Sequence, residues 1–255
     1  MNLTALEIND IKKSLSNPRM VSWNKVRISS DFSLLNSNVL WSNRVNSTSS
    51  SPEELTIKLH QFNFSLCMSM IPTLQIFEIL LRNKINDNLK SYTANPMWWK
   101  SVRKVNLNKG AIKKIQSAED SINNTGRGVN PNRIISELSL GFWVSIFNAE
   151  YDNPRDVSKN LWNLTLHKIF QNGVSVSRGN IHSDLEEIRK LRNKVSHNDP
   201  ILLNDILSTY TKILQLSQYM CPVTSRWIKR NSPIEYVLSS QIKKALVVVR
   251  NLYGR

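Results

Sequence analysis

Three residues close together in the chain have types that could act on a phosphate ester: Arg192, Asn193 and His197. A histidine imidazole exchanges protons near neutral pH, so His197 could take the proton of a ribose 2′-hydroxyl and activate that oxygen for attack on phosphorus. The guanidinium of Arg192 could stabilise charge that develops on the phosphate oxygens. Asn193 could orient the phosphate or the imidazole. This chemistry needs no metal or other cofactor, and it spares DNA, which lacks the 2′-hydroxyl.

The residues around this group predict a helix over residues 183–197. Ser183 and Glu186 have the spacing of a capping box, which begins a helix. At about 100° per residue, Asn193 and His197 lie one turn apart on a polar face that also carries Arg189. The opposite face is apolar, and its residues are Leu185, Ile188, Leu191 and Val195.

The position of Arg192 complicates a site built from one chain. On an ideal helix Arg192 lies about 140° around the axis from His197. The two side chains could converge if the helix ends near His197, where Asp199-Pro200 discourages its continuation, and if the long Arg192 side chain wraps round the helix. A second subunit could also relieve the difficulty. An Arg-x4-His pair also arises by chance in a basic chain, in which case these residues form an ordinary solvated helix face.

The motif has an echo earlier in the chain. Residues 81–88 (LRNKINDN) and 191–198 (LRNKVSHN) are identical at five of eight positions. The first copy has Asp87 where the second has His197, so it lacks the imidazole. Either an ancient duplication or chance explains the similarity between Arg82–Asp87 and the motif.

Scarce glycine and long periodic stretches predict an all-α fold. Helix starts are indicated at Ser51-Pro52 and Ser232-Pro233, each with Glu three residues after the serine. The first helix runs to about Lys90 with a kink or break at Pro72, and the second to about Asn251. Further helices are predicted over 109–121, 132–148, 155–171, 183–197 and 201–218, with breakers at Gly126–Gly128, Asn153-Pro154, Gly173, Gly179-Asn180 and Asp199-Pro200.

Charge and composition narrow the classes of partner. The 255-residue chain has 34 Lys and Arg against 19 Asp and Glu, a formal net charge of +15 that favours polyanions. We found no secretory signal and no apolar run approaching the ~20 residues of a membrane span, and therefore expect a cytoplasmic protein without a membrane partner. Cys67 and Cys221 lack metal-site spacing and are expected to be reduced.

Two basic regions are candidate tracks for RNA. Residues 221–255 carry seven Lys or Arg against Glu235 alone, and residues 97–130 carry seven against two acids. A solvated face is the alternative in each case. We expect Trp98 and Trp99 to pack in the core, although aromatics among cations also stack on bases. The RNA-binding candidates are Arg189, Lys194, Lys100, Arg103, Lys104, Lys113 and Lys114, with Lys109 and Arg127 in the same region.

Several separate segments resemble the Abi-like (AbiD/AbiF-type abortive infection) branch of the HEPN ribonucleases. Residues 191–197 (LRNKVSH) resemble the Arg-Asn-x3-His signature of HEPN proteins. Residues 136–147 (SELSLGFWVSIF) and 77–83 (FEILLRN) are similar to two helices of that branch, and Trp98-Trp99 and Leu161-Trp162 lie where it has them. The match covers residues 60–200 in order, whereas the usual second histidine is replaced by Asn198.

The resemblance implies a HEPN-type helical bundle with additional helices, homodimerisation with a composite site across the two-fold axis, RNA cleavage, and a role in phage defence or as a toxin. Residues 51–255 would form this domain, with residues 1–50 as an N-terminal extension packed on its body. A noncoding RNA or a protein antitoxin is a possible further partner. The second hypothesis is a non-catalytic RNA-binding protein that forms a ribonucleoprotein; a helical DNA-binding regulator and a membrane-surface protein rank below it.

Overall fold

The computed structural model describes residues 4–15, 52–126, 128–170, 176–201 and 206–237. Every regular element in these ranges is a helix, so the all-α prediction is confirmed. Short 3₁₀ helices cover Trp98–Lys100, Ala149–Tyr151, Val157–Lys159 and Leu166–Phe170. The α-helices are α1 (Ala5–Leu15), α2 (Pro52–Thr93), α3 (Lys109–Asn124), α4 (Pro131–Glu137), α5 (Leu140–Ser145), α6 (Leu161–Leu164), α7 (Arg178–Ser196), α8 (Ile206–Met220) and α9 (Pro222–Asn231).

The chain divides into two compact units. The first comprises Met1–Pro72, Asn193–Ile206 and Ser232–Arg255, and the second comprises Thr73–Arg192 and Leu207–Asn231. One division therefore falls inside α2, directly after Pro72, and another inside α7, directly after Arg192. Both of these long helices contribute residues to each unit.

Helix α2 begins at Pro52, as its sequence predicts, and continues for 42 residues through Pro72. The sequence predicts a kink or a break at Pro72, and the break is wrong because the helix is continuous there. Proline removes one backbone N–H and the corresponding helical hydrogen bond, but burial of an apolar stripe on the same helix offsets that loss. The stripe consists of Met70, Leu74, Phe77, Leu81, Ile85 and Leu89, each at most 3% exposed.

Part of α2 also has the length and composition of a membrane span. The segment Asn63–Thr93 contains an 18-residue window with a mean hydropathy of 1.6, and half of that window is buried inside the protein. Such burial is typical of a core helix. A core helix and a membrane-spanning helix are both apolar because each lies in surroundings that exclude water. Polar residues and Glu78 interrupt the apolar residues of this segment, so no long uninterrupted apolar run marks it in the sequence.

An aromatic cluster forms much of the core of the second unit. Trp98, Phe142 and Trp143 are completely buried, and the ring centroids of Phe142 and Trp143 are 4.9 Å apart in an edge-to-face arrangement. Trp99 is only 8% exposed and packs edge-to-face on Trp98 at 5.4 Å. The expectation that Trp98 and Trp99 pack in the core is confirmed, and neither side chain is available to stack on bases.

The predicted helix over residues 132–148 is two helices, α4 and α5. The chain is extended at Leu138 (φ −75°, ψ 125°) and at Ser139, which precedes α5. The buried indole of Trp143 donates a hydrogen bond to the Leu138 carbonyl at 3.1 Å, so the break supplies an acceptor that a continuous helix would have occupied.

The predicted helix over residues 155–171 is also wrong. The segment consists of two 3₁₀ helices with α6 between them, and the backbone leaves helical geometry at Asn160 and at Thr165 (φ −149°, ψ −46°). Thr165 is buried, and its hydroxyl donates a 2.6 Å hydrogen bond to Asn88 on α2. A tertiary hydrogen bond thus stabilises a backbone turn that the amphipathic pattern alone does not reveal.

Several helix boundaries differ from the predictions. Helix α7 begins at Arg178, five residues before the proposed Ser183 cap, and Gly179 lies inside it. The Ser177 hydroxyl accepts a hydrogen bond from the Asn180 amide, which makes Ser177 the residue that caps this helix. Helices α1 and α9 were not predicted, although Thr4 and Glu7 form a reciprocal capping box at the start of α1.

Other predictions are confirmed or lie outside the described residues. Helix α3 matches its predicted start and extends three residues beyond its predicted end, and the helix predicted at Ser232-Pro233 is present from Ile234 to Val237. The start of the predicted 201–218 helix is only partly described, and α8 ends two residues later than predicted. The Ser51 cap, Gly173, Arg127, most of the N-terminal extension and the chain after residue 237 lie outside the described ranges.

Candidate functional site

The apolar stripe of α7 anchors the helix that carries the candidate residues. Its side chains are Ile181, Leu185, Ile188, Leu191 and Val195, each at most 4% exposed. Asn193 and His197 are exposed, as the helical spacing predicts. Burial of the stripe therefore fixes the rotation of α7 about its axis, and that rotation presents Asn193 and His197 to solvent.

The carboxyl end of α7 forms a Schellman motif directly at His197. The Asp199 amide donates to the Lys194 carbonyl at 2.8 Å, and the Asn198 amide donates to the Val195 carbonyl at 3.1 Å. Asn198 has a φ of +52°, in the left-handed region that asparagine tolerates better than most residues. In this motif His197 is the C-cap residue that directly follows Ser196, the last residue of α7, and Asn198 then turns the backbone away from the helix axis.

A buried asparagine on α2 holds the turn that follows His197. Asn63 is completely buried, and its side-chain amide donates to Asn198 Oδ1 at 3.3 Å and to the Asp199 carbonyl at 3.0 Å. Its side-chain oxygen accepts a hydrogen bond from the buried Ile201 amide at 2.8 Å. The side-chain nitrogen Nδ2 of Asn198 also lies 3.5 Å from His60 Nε2. We call this network the Asn63 clamp.

The Asn63 clamp was not predicted from the sequence. A single asparagine within the apolar run of α2 was the only available signal, because nothing in the sequence connects positions 63 and 198. The family resemblance predicts a second histidine at position 198, and the asparagine found there takes part in this clamp. The Asn198 backbone adopts the left-handed conformation that ends the helix, and its side chain accepts a hydrogen bond from Asn63.

Arg192 has a partner in the second unit that the sequence analysis did not assign. Its Nε donates to Glu78 Oε2 on α2 at 3.3 Å, with the two side chains 35% and 18% exposed. Glu78 belongs to the segment 77–83, which carries part of the family resemblance, so a signal was present there. The ion pair directs Arg192 towards α2 and partly neutralises its charge.

The structure thus gives the candidate catalytic residues two different surroundings. Arg192 belongs to the second unit and is held by Glu78, whereas Asn193 and His197 belong to the first unit, in which the Asn63 clamp holds the turn that follows them. Arg192 and Asn193 lie on α7, and His197 directly follows its last residue.

Arg189, a further cation of α7, is engaged within the protein. Arg189 forms hydrogen bonds with both carboxylate oxygens of Glu186, including one of 2.8 Å from Nη2. These bonds lower the pKa of the Glu186 carboxyl and raise the pKa of the Arg189 guanidinium. Lys194 is half-buried in the last turn. Arg189 is therefore a charge already balanced by a neighbour, unlike the exposed lysines of α3.

The basic region of the second unit is exposed to solvent. The Lys104 ammonium donates to the Tyr92 backbone carbonyl at 3.0 Å and lies 5.5 Å from the centroid of the Tyr92 ring. These two contacts give the Lys104 side chain a fixed position. The exposed cations of this surface are Lys100, Arg103, Lys104, Lys109, Lys113 and Lys114. We call them the α3 basic surface.

The degenerate copy of the motif on α2 has a structural role. Asn86 accepts a hydrogen bond from the buried Trp98 indole at 3.1 Å, and Asn88 accepts one from Thr165 at 2.6 Å. Asp87 is exposed and lines an open groove of about 400 Å³ with Lys90 and other residues at the end of α2. This copy joins α2 to two neighbouring segments of the second unit.

The remaining histidines have structural surroundings. His60 is 9% exposed and contacts Asn198, while the exposed His167 ring has its Nδ1 2.9 Å from the Trp162 carbonyl. The Nε2 atom of His182 lies 3.0 Å from Asn148 Oδ1 inside the second unit. Within the ranges that the structure describes, no three His, Cys, Asp or Glu side chains cluster as a metal site would require.

The chain was compared with the models of known protein families, with curated proteins and with solved structures, and none of the three comparisons found a match.

Proposed function

We propose that this protein is a metal-independent endoribonuclease of the Abi-like HEPN type, with His197, Asn193 and Arg192 as its catalytic residues. The observation that carries the proposal is the placement of His197. His197 directly follows the last residue of the well-anchored helix α7, its side chain is exposed, and the backbone that follows it is held by the Asn63 clamp. A proton acceptor must have a fixed position and still be reached by a large substrate, and this arrangement satisfies both conditions.

The proposed reaction is an internal transesterification of RNA. His197 accepts the proton of a ribose 2′-hydroxyl while O2′ forms a bond to the adjacent phosphorus. The bond between phosphorus and O5′ breaks, and the departing O5′ takes the proton back from the His197 imidazolium. The products are a 2′,3′-cyclic phosphate and a 5′-hydroxyl, so atoms and charges balance without a co-reactant. Asn193, one turn before His197, orients the phosphate.

Arg192 would stabilise the charge on the phosphate oxygens in the transition state. Its ion pair with Glu78 supports this role by limiting the conformations of a long side chain before substrate binds. Because Arg192 lies about 140° around the helix from His197, we propose that a homodimer combines Arg192 of one chain with His197 of the other. Such an enzyme would act in the cytoplasm, in phage defence or as a toxin.

The charge distribution supports RNA as the substrate. The whole chain has a formal net charge of +15, and the α3 basic surface presents exposed cations to solvent. Cations of this kind attract phosphates at long range and hold them by displacing counterions. Arg189 would join them only if substrate phosphate displaced Glu186, and Lys194 would act at the edge of the motif helix.

The first test is cleavage of a labelled single-stranded RNA in EDTA. We expect wild-type protein to produce 2′,3′-cyclic phosphate ends and His197→Ala to lower the rate by about 100-fold or more, which is the usual contribution of a positioned acid or base. His167→Ala is the matched control, since it removes an exposed histidine outside the motif. Equal rates for wild type and His197→Ala would overturn the catalytic assignment.

Glu78→Gln tests the proposed support of Arg192 in the same assay. It removes the charged partner while keeping the shape of the side chain. We expect slower cleavage at saturating RNA with little change in the RNA concentration that gives half-maximal rate, because the loss concerns the position of Arg192 in the transition state. An unchanged rate would show that Glu78 does not support Arg192 in the reaction.

A non-catalytic ribonucleoprotein is the second candidate function. The observation that favours it is that Arg192 and Arg189 already have carboxylate partners, whereas the α3 basic surface is open to RNA. In that case wild type and His197→Ala would bind RNA equally, neither would cleave it, and purified protein would carry a defined small RNA. Cleavage that depends on His197 would exclude this alternative.

A further inference from the structure

Helix α9 presents an exposed face that differs from the rest of the second unit. Ser225 and Ile228 are buried and define its inner side. On the opposite side Trp227 is 51% exposed and Val223 is 65% exposed. At about 100° per residue, Arg230 lies about 60° from Trp227 and Arg226 about 40° from Arg230, so all four residues share the outer face.

The exposure of Trp227 is exceptional in this protein. The other tryptophans in the described ranges are Trp98, Trp99, Trp143 and Trp162, and each is at most 8% exposed. A large aromatic side chain left half in water forgoes a substantial hydrophobic gain, because an indole is among the side chains that gain most from burial. Its position among cations indicates a partner with a flat apolar surface and negative charge.

The positive charges of α9 are not balanced by carboxylates of the described residues. The helix contains Arg226, Lys229 and Arg230 but no acidic residue, and within the described part of the chain no carboxylate forms an ion pair with any of them. Arg226 and Arg230 are four residues apart, a spacing at which like charges repel. By contrast, Arg178, Arg189, Arg192 and Lys212 each have a carboxylate partner. An anionic partner would relieve the repulsion on α9.

We propose that the outer face of α9 binds single-stranded nucleic acid, with one base stacked on Trp227 and phosphates on Arg226 and Arg230. Every base offers a π-face to an exposed aromatic, and nearby arginines neutralise the backbone without reading its sequence. That the physiological strand is RNA rests on the proposed function. An anionic membrane fits less well, since ten residues with two exposed apolar side chains bury little area in a bilayer interface.

The test is binding of fluorescent single-stranded RNA and of single-stranded DNA of the same sequence to full-length protein. Stacking on an aromatic side chain typically contributes about 1–3 kcal/mol, so we expect Trp227→Ala to weaken binding about 5- to 150-fold, while Trp227→Phe keeps most of the affinity. Arg230→Ala should also reduce the slope of log affinity against log salt by about 0.7, the value for one phosphate contact on a single strand.

Arg155→Ala is the matched control, because it removes one exposed arginine elsewhere in the second unit. It should change affinity much less than Trp227→Ala, and duplex RNA should show no dependence on Trp227. The proposal would be overturned if Trp227→Ala bound single-stranded RNA and single-stranded DNA as tightly as the wild-type protein does. So would Trp227-dependent binding to anionic phospholipid vesicles that single-stranded RNA does not compete away. DNA cannot be cleaved through a 2′-hydroxyl, so its binding tests α9 even if the ribonuclease proposal fails.

Discussion

Replacement of Asn63 by alanine tests how the end of α7 is held. The substitution removes two donated hydrogen bonds, to Asn198 Oδ1 and to the Asp199 carbonyl, and one accepted from the Ile201 amide. Each of the two donated bonds contributes about 1 kcal/mol net, and for the third bond the loss is the cost of about 1–3 kcal/mol of leaving the Ile201 amide buried without a partner. We therefore expect the free energy of unfolding to fall by about 3–5 kcal/mol.

The assay is urea unfolding followed by circular dichroism, with Gln61→Ala as a control on the exposed side of the same helix. We expect Gln61→Ala to change the free energy of unfolding by less than about 0.5 kcal/mol, as surface substitutions usually do. At low temperature, where Asn63→Ala remains folded, RNA cleavage should decrease more than RNA binding, because His197 loses its fixed position. A loss of stability below about 1 kcal/mol for Asn63→Ala would refute the clamp.

Two further outcomes follow from the described residues. Asn198→Gly keeps the left-handed turn and should cost less free energy of unfolding than Asn198→Ala by about 1 kcal/mol, since alanine is strained at φ +52°; equal losses in urea unfolding would contradict that explanation. Iodoacetamide at pH 7.5 should modify Cys221 well before Cys67, as measured by peptide mass spectrometry. The hydrogen bond from Thr224 lowers the pKa of the partly exposed Cys221 thiol, whereas burial raises the pKa of Cys67 to about 11, so faster reaction at Cys67 would show that this reasoning is wrong.

Sequence periodicity was sufficient for the helical class and for the orientation of α7. The stripe from Leu185 to Val195 has a helical period, and burying it leaves only one rotation of the helix, so the exposure of Asn193 and His197 followed. The aromatic core around Trp143 was predictable for the same reason. These properties are local or depend only on which side of an element is apolar.

Tertiary structure decided where helices break and what the polar residues contact. The break at Leu138 exists because a buried indole needs an acceptor, and the turn at Thr165 is stabilised by Asn88, far away in the chain. The partners Glu78 and Asn63 each lie more than one hundred residues from the side chains they hold. Hydrogen bonds of this kind depend on distances between elements, and residue types along a single sequence carry no information about those distances.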